Sequence, residues 1–213
     1  TNRALHSSQV AIMTDKYLPK TFIFIDSSNI YISARNLYNI KVRPENLISL
    51  LTEMFCENNI VHTYYFTPEN PENEGQSRFF ESLERRGIIV IKEPIVERER
   101  QLICPNCKTV VEPKCDNCGA VISLPPHKSK KIDILLGSTM LDICDTYDEG
   151  ILVSGDQDFL PIVKMLRKRE GKKIHVVSFK STLSHVYKYN SDITIFLDDY
   201  IDKIEQKPNI NKK

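Results

Sequence analysis

The stretch GILVSGDQDFLPIVKMLRKREGKKIHVVSF, residues 150–179, decides the fold because it contains a complete strand, helix and strand unit. Its first five residues, GILVS, are a short apolar run, and residues 160–170 place apolar side chains at helical spacing. Its last seven residues, KIHVVSF, form a second run rich in β-branched side chains. Two such strands joined by a helix predict a right-handed crossover and a parallel sheet.

The same alternation continues on both sides of this unit. Residues 21–26, TFIFID, form an apolar and aromatic run typical of a strand buried on both faces of a parallel sheet. We therefore expect an α/β fold with a central parallel sheet. Further helices are predicted at residues 28–38, from Pro44 onward, at 77–86, 130–146 and 183–189, and further strands at 60–66, 88–92 and 193–197.

The composition predicts a protein with a full core and no strong electrostatic field. The chain has 213 residues, 41% of them hydrophobic, and its formal net charge is +1. A strongly basic domain would bind polyanions through its bulk charge, so contacts with nucleic acid are expected here from local basic patches. No apolar run approaches the roughly 20 residues that cross a bilayer, and no signal-peptide pattern is present. We therefore expect a cytoplasmic protein with no membrane partner.

We predict one domain that carries a small inserted module. The alternation of strands and helices spans residues 21–203 but breaks at residues 94–127, which contain two cysteine pairs. Residues 1–20 are expected to form a flexible N-terminal arm, and residues 204–213, rich in lysine and asparagine, a tail.

The two cysteine pairs have the same form, CPNC and CDNC. Two thiolates separated by two residues can chelate one tetrahedral ion, and four thiolates complete a closed site with no open coordination position. We therefore predict a structural zinc ribbon, with free thiols or redox pairs as the alternative. Its ligands would be Cys104, Cys107, Cys115 and Cys118.

Three aspartates follow predicted strands. Asp26 ends the run TFIFID, and Asp156 and Asp158 follow GILVS in the sequence SGDQDF. Ligands bind to open α/β sheets outside the carboxyl ends of the strands, where the strand order reverses, so one shared crevice is expected. Carboxylates gathered there would suit Mg²⁺ or Mn²⁺. The alternative is that these residues cap the helices that follow them.

A fourth aspartate and several basic residues belong to predicted helices. Asp133 shares a helical stripe with Leu136 and Met140, on the face expected to point inward. The alternative for Asp133 is a first-turn carboxylate that interacts with the helix dipole. Basic residues could bind substrate phosphates or form a solvated face; they are Lys131 and the helical set Lys164, Arg167 and Lys168.

Three sequence blocks together resemble the NYN domains of the PIN-like nuclease superfamily, in particular the LabA-like branch. They are FIFIDSSNIY, KKIDILL and residues 151–179, and with the elements between them they cover residues 21–200. The resemblance implies a PIN-like three-layer sandwich and a Mg²⁺- or Mn²⁺-dependent ribonuclease. It implies that Asp26, Asp133 and Asp156 are metal ligands or activate water, that Asp158 is a further acidic ligand, and that Asn29 and Ser154 orient substrate or carboxylates.

The resulting hypothesis is a metal-dependent endoribonuclease that hydrolyses RNA, with single-stranded RNA as the expected partner and a homodimer suggested by the family. The five histidines are scattered over unrelated elements, which argues against two-histidine ribonuclease chemistry. A phosphatase is disfavoured because the first strand lacks the paired aspartates of the common phosphatase motif. The alternative from another class is a catalytically weak RNA-binding or adaptor protein in which the zinc module makes the main contacts.

Overall fold

The structure is a computed structural model that describes residues 17–70, 72–98, 101–122, 127–129, 131–169 and 172–206. The described strands are, in chain order, β1 (Lys20–Asp26), β2 (Asn59–Glu69), β3 (Ile89–Pro94), β4 (Val96–Arg98), β5 (Leu102–Ile103), β6 (Val110–Val111), β7 (His127–Ser129), β8 (Glu149–Val153), β9 (Lys173–Ser178) and β10 (Thr194–Phe196). The described α-helices are α1 (Ser27–Tyr38), α2 (Pro44–Met54), α3 (Glu74–Glu84), α4 (Ile132–Asp142), α5 (Leu160–Arg167) and α6 (Ile201–Ile204).

The main sheet has six strands in the order β10, β9, β8, β1, β2, β3. Every neighbouring pair in it is parallel, as the alternation of strands and helices predicts. Helices cover both faces, which makes a three-layer sandwich and confirms the predicted α/β fold class. None of the described helices is both long and apolar enough to cross a membrane.

Strand β1 lies in the middle of the sheet and is buried on both faces. Phe22 and Phe24 point into the core beneath α4 and α5, whereas Ile23 and Ile25 point into the core beneath α1, α2, α3 and α6. All four side chains are at most 3% exposed. The unbroken apolar run TFIFI therefore reflects a strand with no solvent-facing side, as expected for a parallel sheet between two helical layers.

The structure corrects several predicted helix boundaries. The helix expected at residues 130–146 ends at Asp142, and a separate 3-10 turn follows at Cys144–Thr146. The helix expected at residues 183–189 is a 3-10 turn at His185–Tyr189, a tighter form that is used in short pieces. Helices α3 and α5 differ from their predicted bounds by no more than three residues at either end.

The domain extends slightly beyond its predicted limits. Lys20, assigned to the arm, is the first residue of β1, and the Tyr17 hydroxyl donates to the Asp148 carboxylate over 2.5 Å. At the other end, the amide of Gln206 donates to the carbonyl of Lys41 over 2.8 Å. The rest of the predicted arm and tail lies outside the described residues.

The predicted insertion begins and ends with strands that do not belong to the main sheet, β4 and β7. Strands β4 and β7 pair with each other in antiparallel orientation. Within the insertion, β5 and β6 form a short antiparallel hairpin, and Lys114 forms an antiparallel bridge with Val121. Each cysteine pair therefore lies at the tip of its own small hairpin.

Glu149 is buried at the end of the sheet opposite to Asp26, with 6% of its surface exposed. Its carboxylate accepts hydrogen bonds from Lys173 Nζ and Asn58 Nδ2, at 3.0 and 2.6 Å, and pairs with Nε2 of His175 at 3.0 Å. Burial raises the pKa of this carboxyl, but the three bonds outweigh burial and hold the pKa below its ordinary value. The ionised carboxylate therefore stabilises this end of the sheet.

We predict that Glu149→Gln lowers the free energy of unfolding by about 1–3 kcal/mol at pH 7, because a neutral amide replaces a charged acceptor. The pKa of Glu149 is lower in the folded state, so its contribution is present above the ordinary value of 4.5 and is lost as the pH falls. Urea unfolding at pH 7 and at pH 4 should show a difference from the wild type that shrinks on acidification.

Glu53→Gln is the matched control for this measurement. Glu53 is an exposed carboxylate that pairs with Lys203 at 3.1 Å, and exposed pairs contribute little to stability. Equal effects of the two substitutions would contradict a special role for Glu149.

Candidate active site

The strand order reverses between β1 and β8. Strands β2 and β3 lie on one side of β1, whereas the later strands β8, β9 and β10 lie on its other side. The carboxyl ends of β1 and β8 therefore border the crevice where open α/β sheets bind ligands. Asp26 is the last residue of β1, and Ser154, Gly155 and Asp156 directly follow β8.

Asp26 is buried at this crevice, with 2% of its surface exposed. One carboxylate oxygen accepts the backbone amide of Asn29 at 3.1 Å, so Asp26 also caps α1. Burial raises the pKa of this carboxyl to about 6, although its hydrogen bonds act in the opposite direction. The charges of Asp133 and Asp156 raise the pKa further, so both carboxylates act electrostatically on Asp26.

Ser154 and Asn29 connect the two loops that border the crevice. The Ser154 hydroxyl donates to the second oxygen of Asp26 at 3.0 Å and accepts the amide of Asp156 at 3.2 Å. The side-chain oxygen of Asn29 accepts the amide of Gly155 at 3.1 Å. These contacts hold the end of β1 against the loop after β8.

Asp156 and Asp158 lie in the loop after β8. Asp156 is half-buried and caps a 3-10 turn at Gln157–Phe159, where its Oδ1 accepts the amide of Asp158 at 3.0 Å. Asp158 is exposed. The capping alternative therefore describes a real contact of Asp156, but it occupies one oxygen of the carboxylate.

Two residues that the sequence pattern did not single out, Tyr187 and Gly155, determine the position of this loop. The hydroxyl of buried Tyr187 donates to the carbonyl of Asp156. A Cβ atom on Gly155 would lie 2.5 Å from the carbonyl oxygen of Thr182 and 2.6 Å from the hydroxyl of Ser178, so this position requires glycine. The glycine of the sequence SGDQDF was the available signal for a close backbone approach.

The charge of Asp133 acts on Asp26, whereas no contact among the described residues joins the predicted basic residues to the crevice. Asp133 is half-buried in the first turn of α4. Lys131, Lys164 and Lys168 are exposed. Arg167 is half-buried, and its guanidinium makes two hydrogen bonds of 2.9 Å with the carboxylate of Asp192.

The donor set suits a hard divalent cation, although its side chains do not form a closed cluster. Among the residues that the structure describes, no three His, Cys, Asp or Glu side chains are arranged closely enough to hold a metal ion. The charges that act on Asp26 are nevertheless both negative, those of Asp133 and Asp156. Carboxylate oxygens of this kind are the ligands that Mg²⁺ and Mn²⁺ prefer.

Comparison with known proteins now identifies the family. The model of the NYN domain matches residues 20–198. The chain belongs to the NYN domain family. NYN domains are part of the PIN-like nuclease superfamily, whose members generally use Mg²⁺ or Mn²⁺.

Similarity to solved structures supports the fold of this NYN domain. A protein of unknown function from Vibrio parahaemolyticus RIMD 2210633 is 21% identical, with a TM-score of 0.62, and the match covers 91% of this chain and 100% of that one. A structure of a Sir2 enzyme is 12% identical, and the match covers 87% of this chain and 92% of that chain. Its TM-score of 0.36 is too low to indicate a shared fold. No curated protein sequence matches this chain significantly.

The four cysteines inserted in the NYN domain form two similar turns. The amide of Lys108 donates to the carbonyl of Cys104 at 2.9 Å, and the amide of Gly119 donates to that of Cys115 at 2.8 Å. Lys108 and Gly119 both have left-handed backbones, with φ of 60° and 70°. The structure does not bring the two pairs together as the predicted four-sulfur site.

Local hydrogen bonds lower the pKa of one thiol in each turn. The pKa of Cys107 falls to about 7. The largest cause is its hydrogen bond with the Thr109 hydroxyl, which lies 2.6 Å from the sulfur. Backbone amides of Asn117 and Cys118 lower the pKa of Cys115. Hydrogen bonds that favour thiolates are a property of cysteines that bind metal.

We predict that Asp26→Asn raises the free energy of unfolding of the metal-free protein by about 1–3 kcal/mol at pH 7. Burial raises the pKa from its ordinary 3.8 to about 6, and each pKa unit corresponds to about 1.36 kcal/mol, from which weaker hydrogen bonding by the amide is subtracted. Because the folded-state pKa is the higher one, ionised Asp26 destabilises the fold above pH 6 and the penalty disappears as the pH falls towards 4.

Urea unfolding in the presence of EDTA at pH 7 and pH 4 tests this prediction. Asp142→Asn is the matched control, because Asp142 is exposed at the far end of α4. A less stable Asp26→Asn protein at pH 7 would show that the carboxylate stabilises the fold instead.

Proposed function

We propose that this NYN domain is a Mg²⁺- or Mn²⁺-dependent endoribonuclease of the LabA-like branch that hydrolyses single-stranded RNA. The observation that carries the proposal is the buried Asp26 carboxylate at the break in the strand order, on which Asp133 and Asp156 impose further negative charge. Buried charges are normally paired or bound to metal. A divalent cation at this position would compensate for the charge of the buried Asp26 carboxylate.

The side chains of the site would have two roles, to bind the cation and to position its ligands. Asp26, Asp133 and Asp156 would hold the cation, with Asp158 as a further ligand. When bound, such a cation supplies Lewis-acid polarisation of the phosphate and neutralises the charge that develops during hydrolysis. Ser154 and Asn29 would preserve the arrangement of the carboxylates, because they already tie Asp26 to the loop after β8.

Three exposed lysines would contribute to substrate binding. Lys131 directly precedes α4, which carries Asp133, and Lys164 and Lys168 lie on and just after α5, which follows the loop of Asp156. Lysine side chains bind the phosphates of nucleic acid without regard to sequence. This arrangement favours contacts with the RNA backbone on the face of the sheet covered by α4 and α5.

We predict that Asp156→Asn lowers the rate of RNA cleavage by about 100-fold or more, which corresponds to about 3 kcal/mol of transition-state stabilisation. Labelled single-stranded RNA and DNA should be incubated with the wild type and the variant in Mg²⁺, Mn²⁺ or EDTA. Asp142→Asn changes an exposed aspartate of α4 outside the site and should cleave as the wild type does.

Two outcomes would contradict the nuclease proposal. Cleavage that is unaffected by Asp156→Asn would indicate another centre or a contaminating enzyme. RNA binding that persists in EDTA, with no cleavage by the wild type in either metal, would favour the adaptor function and the zinc module as the main contact.

We also propose that the insertion holds one structural zinc ion. The support comes from the two matched turns, each with a cysteine pair, a left-handed residue after it and a thiol of lowered pKa. Closure of a four-thiolate site would bring the two hairpin tips together and leave no open position for catalysis. The ligands would be Cys104, Cys107, Cys115 and Cys118.

We predict that the purified protein contains one zinc ion per chain, measured by elemental analysis. Cys104→Ser and Cys115→Ser, which remove one thiolate from each pair, should each lose the metal. Cys56→Ser changes an exposed cysteine outside the insertion and should retain it. A wild-type protein that lacks zinc and binds no added Co²⁺ would contradict the proposed site.

A further inference from the structure

A large groove opens beside the acidic crevice, on the face of the sheet covered by α1, α2 and α3. Its volume is about 1330 Å³. Small-molecule pockets are typically about 300–1,000 Å³, so the groove is larger than a single small ligand requires. It extends from Ser27 and Thr67, at the carboxyl ends of β1 and β2, to Lys41 and Arg43 between α1 and α2.

The groove is continuous with the proposed catalytic site. Ser27 and Ser28 line it, and they directly follow Asp26 in the chain. The Ser27 hydroxyl is hydrogen-bonded to Tyr65, whose own hydroxyl is hydrogen-bonded to Tyr31. A polymer with one phosphodiester bond at Asp26 can therefore continue directly into the groove.

Aromatic and basic side chains in the groove match the chemistry of a single nucleic-acid strand. Tyr31 and Phe79 line the groove and are only partly buried, so their rings are available to bases. Arg35 and Lys41 are exposed in its wall, and neither pairs with a carboxylate within the described part of the chain. Stacking platforms combined with unpaired cations are the means by which proteins bind single strands without regard to sequence.

We propose that this groove binds the single-stranded RNA segment on one side of the cleaved bond, an inference that rests on the proposed function. Lys131, exposed at the start of α4 in the opposite helical layer, would contact the segment on the other side. The strand would then cross the carboxyl edge of the sheet beside Asp26. Binding on both sides of the cleaved bond is the arrangement that an endonuclease needs.

Two substitutions in the groove test the proposal in an Asp156→Asn background, where the RNA should stay intact. The dissociation constant of a labelled single-stranded RNA is measured by fluorescence anisotropy at several salt concentrations. Phe79→Leu keeps an apolar side chain but removes the ring, and we expect affinity to fall about 10-fold. Arg35→Gln should weaken binding and reduce the salt dependence by about one counterion.

Arg85→Gln is the matched control, because Arg85 is an exposed arginine at the end of α3 that pairs with Glu81 and does not line the groove. Its affinity for RNA should be unchanged. Arg35 is exposed, so its substitution reports on binding even if Phe79→Leu disturbs the fold, which thermal unfolding would reveal. Unchanged affinity in both groove variants would overturn the proposal.

Photo-cross-linking with RNA that contains 4-thiouridine gives a second, independent readout. We expect cross-links to peptides that contain Tyr31 or Phe79, and cross-links confined to α5 would overturn the proposal. Neither readout requires cleavage. If the groove substitutions weaken binding but the wild type cleaves no RNA, the nuclease proposal is refuted and the groove proposal stands. If the wild type cleaves RNA but the groove substitutions leave binding unchanged, the groove proposal is refuted and the nuclease proposal stands.

Discussion

The structure depends on one desolvated carboxylate, that of Asp26, at the point where the strand order reverses. Its two oxygens accept hydrogen bonds from Asn29 in α1 and from Ser154 after β8, so the same group joins two halves of the sheet. Burial makes its ionised form costly, as the raised pKa shows. A protein that needed this junction only for stability would achieve it at lower cost with neutral groups, which supports the proposed cation site at Asp26.

The buried carboxylates at the two ends of the sheet have pKa values shifted in opposite directions. At the amino end, Glu149 has Lys173, Asn58 and His175 as partners, and its pKa falls below the ordinary value. At the carboxyl end, burial raises the pKa of Asp26, and the charges of Asp133 and Asp156 raise it further. The first arrangement stabilises the fold, whereas the second leaves a negative potential that a cation or a cationic assembly can use.

The sequence predicted the parts of the site that depend on strand position. Apolar runs located β1 and β8, and because parallel strands share one edge, Asp26 and Asp156 were expected to meet there. Contacts between distant elements were not predictable, since Tyr187 reaches Asp156 from a 3-10 turn that resembled a helix in sequence. The groove was missed for the same reason, because its walls come from α1, α3 and the end of β2, whose spacing in the sequence carries no signal.

The capping and metal-binding interpretations of the aspartates are compatible. A carboxylate has two oxygens with about four acceptor sites in total, and a capping bond uses one of them. Asp156 caps its turn through Oδ1, which fixes the direction of the carboxylate while its other oxygen keeps acceptor capacity for a ligand. Capping by Asp26 likewise orients its carboxylate towards the crevice. Local helix chemistry therefore preorganises the acidic side chains, and the same residues can serve the fold and the site.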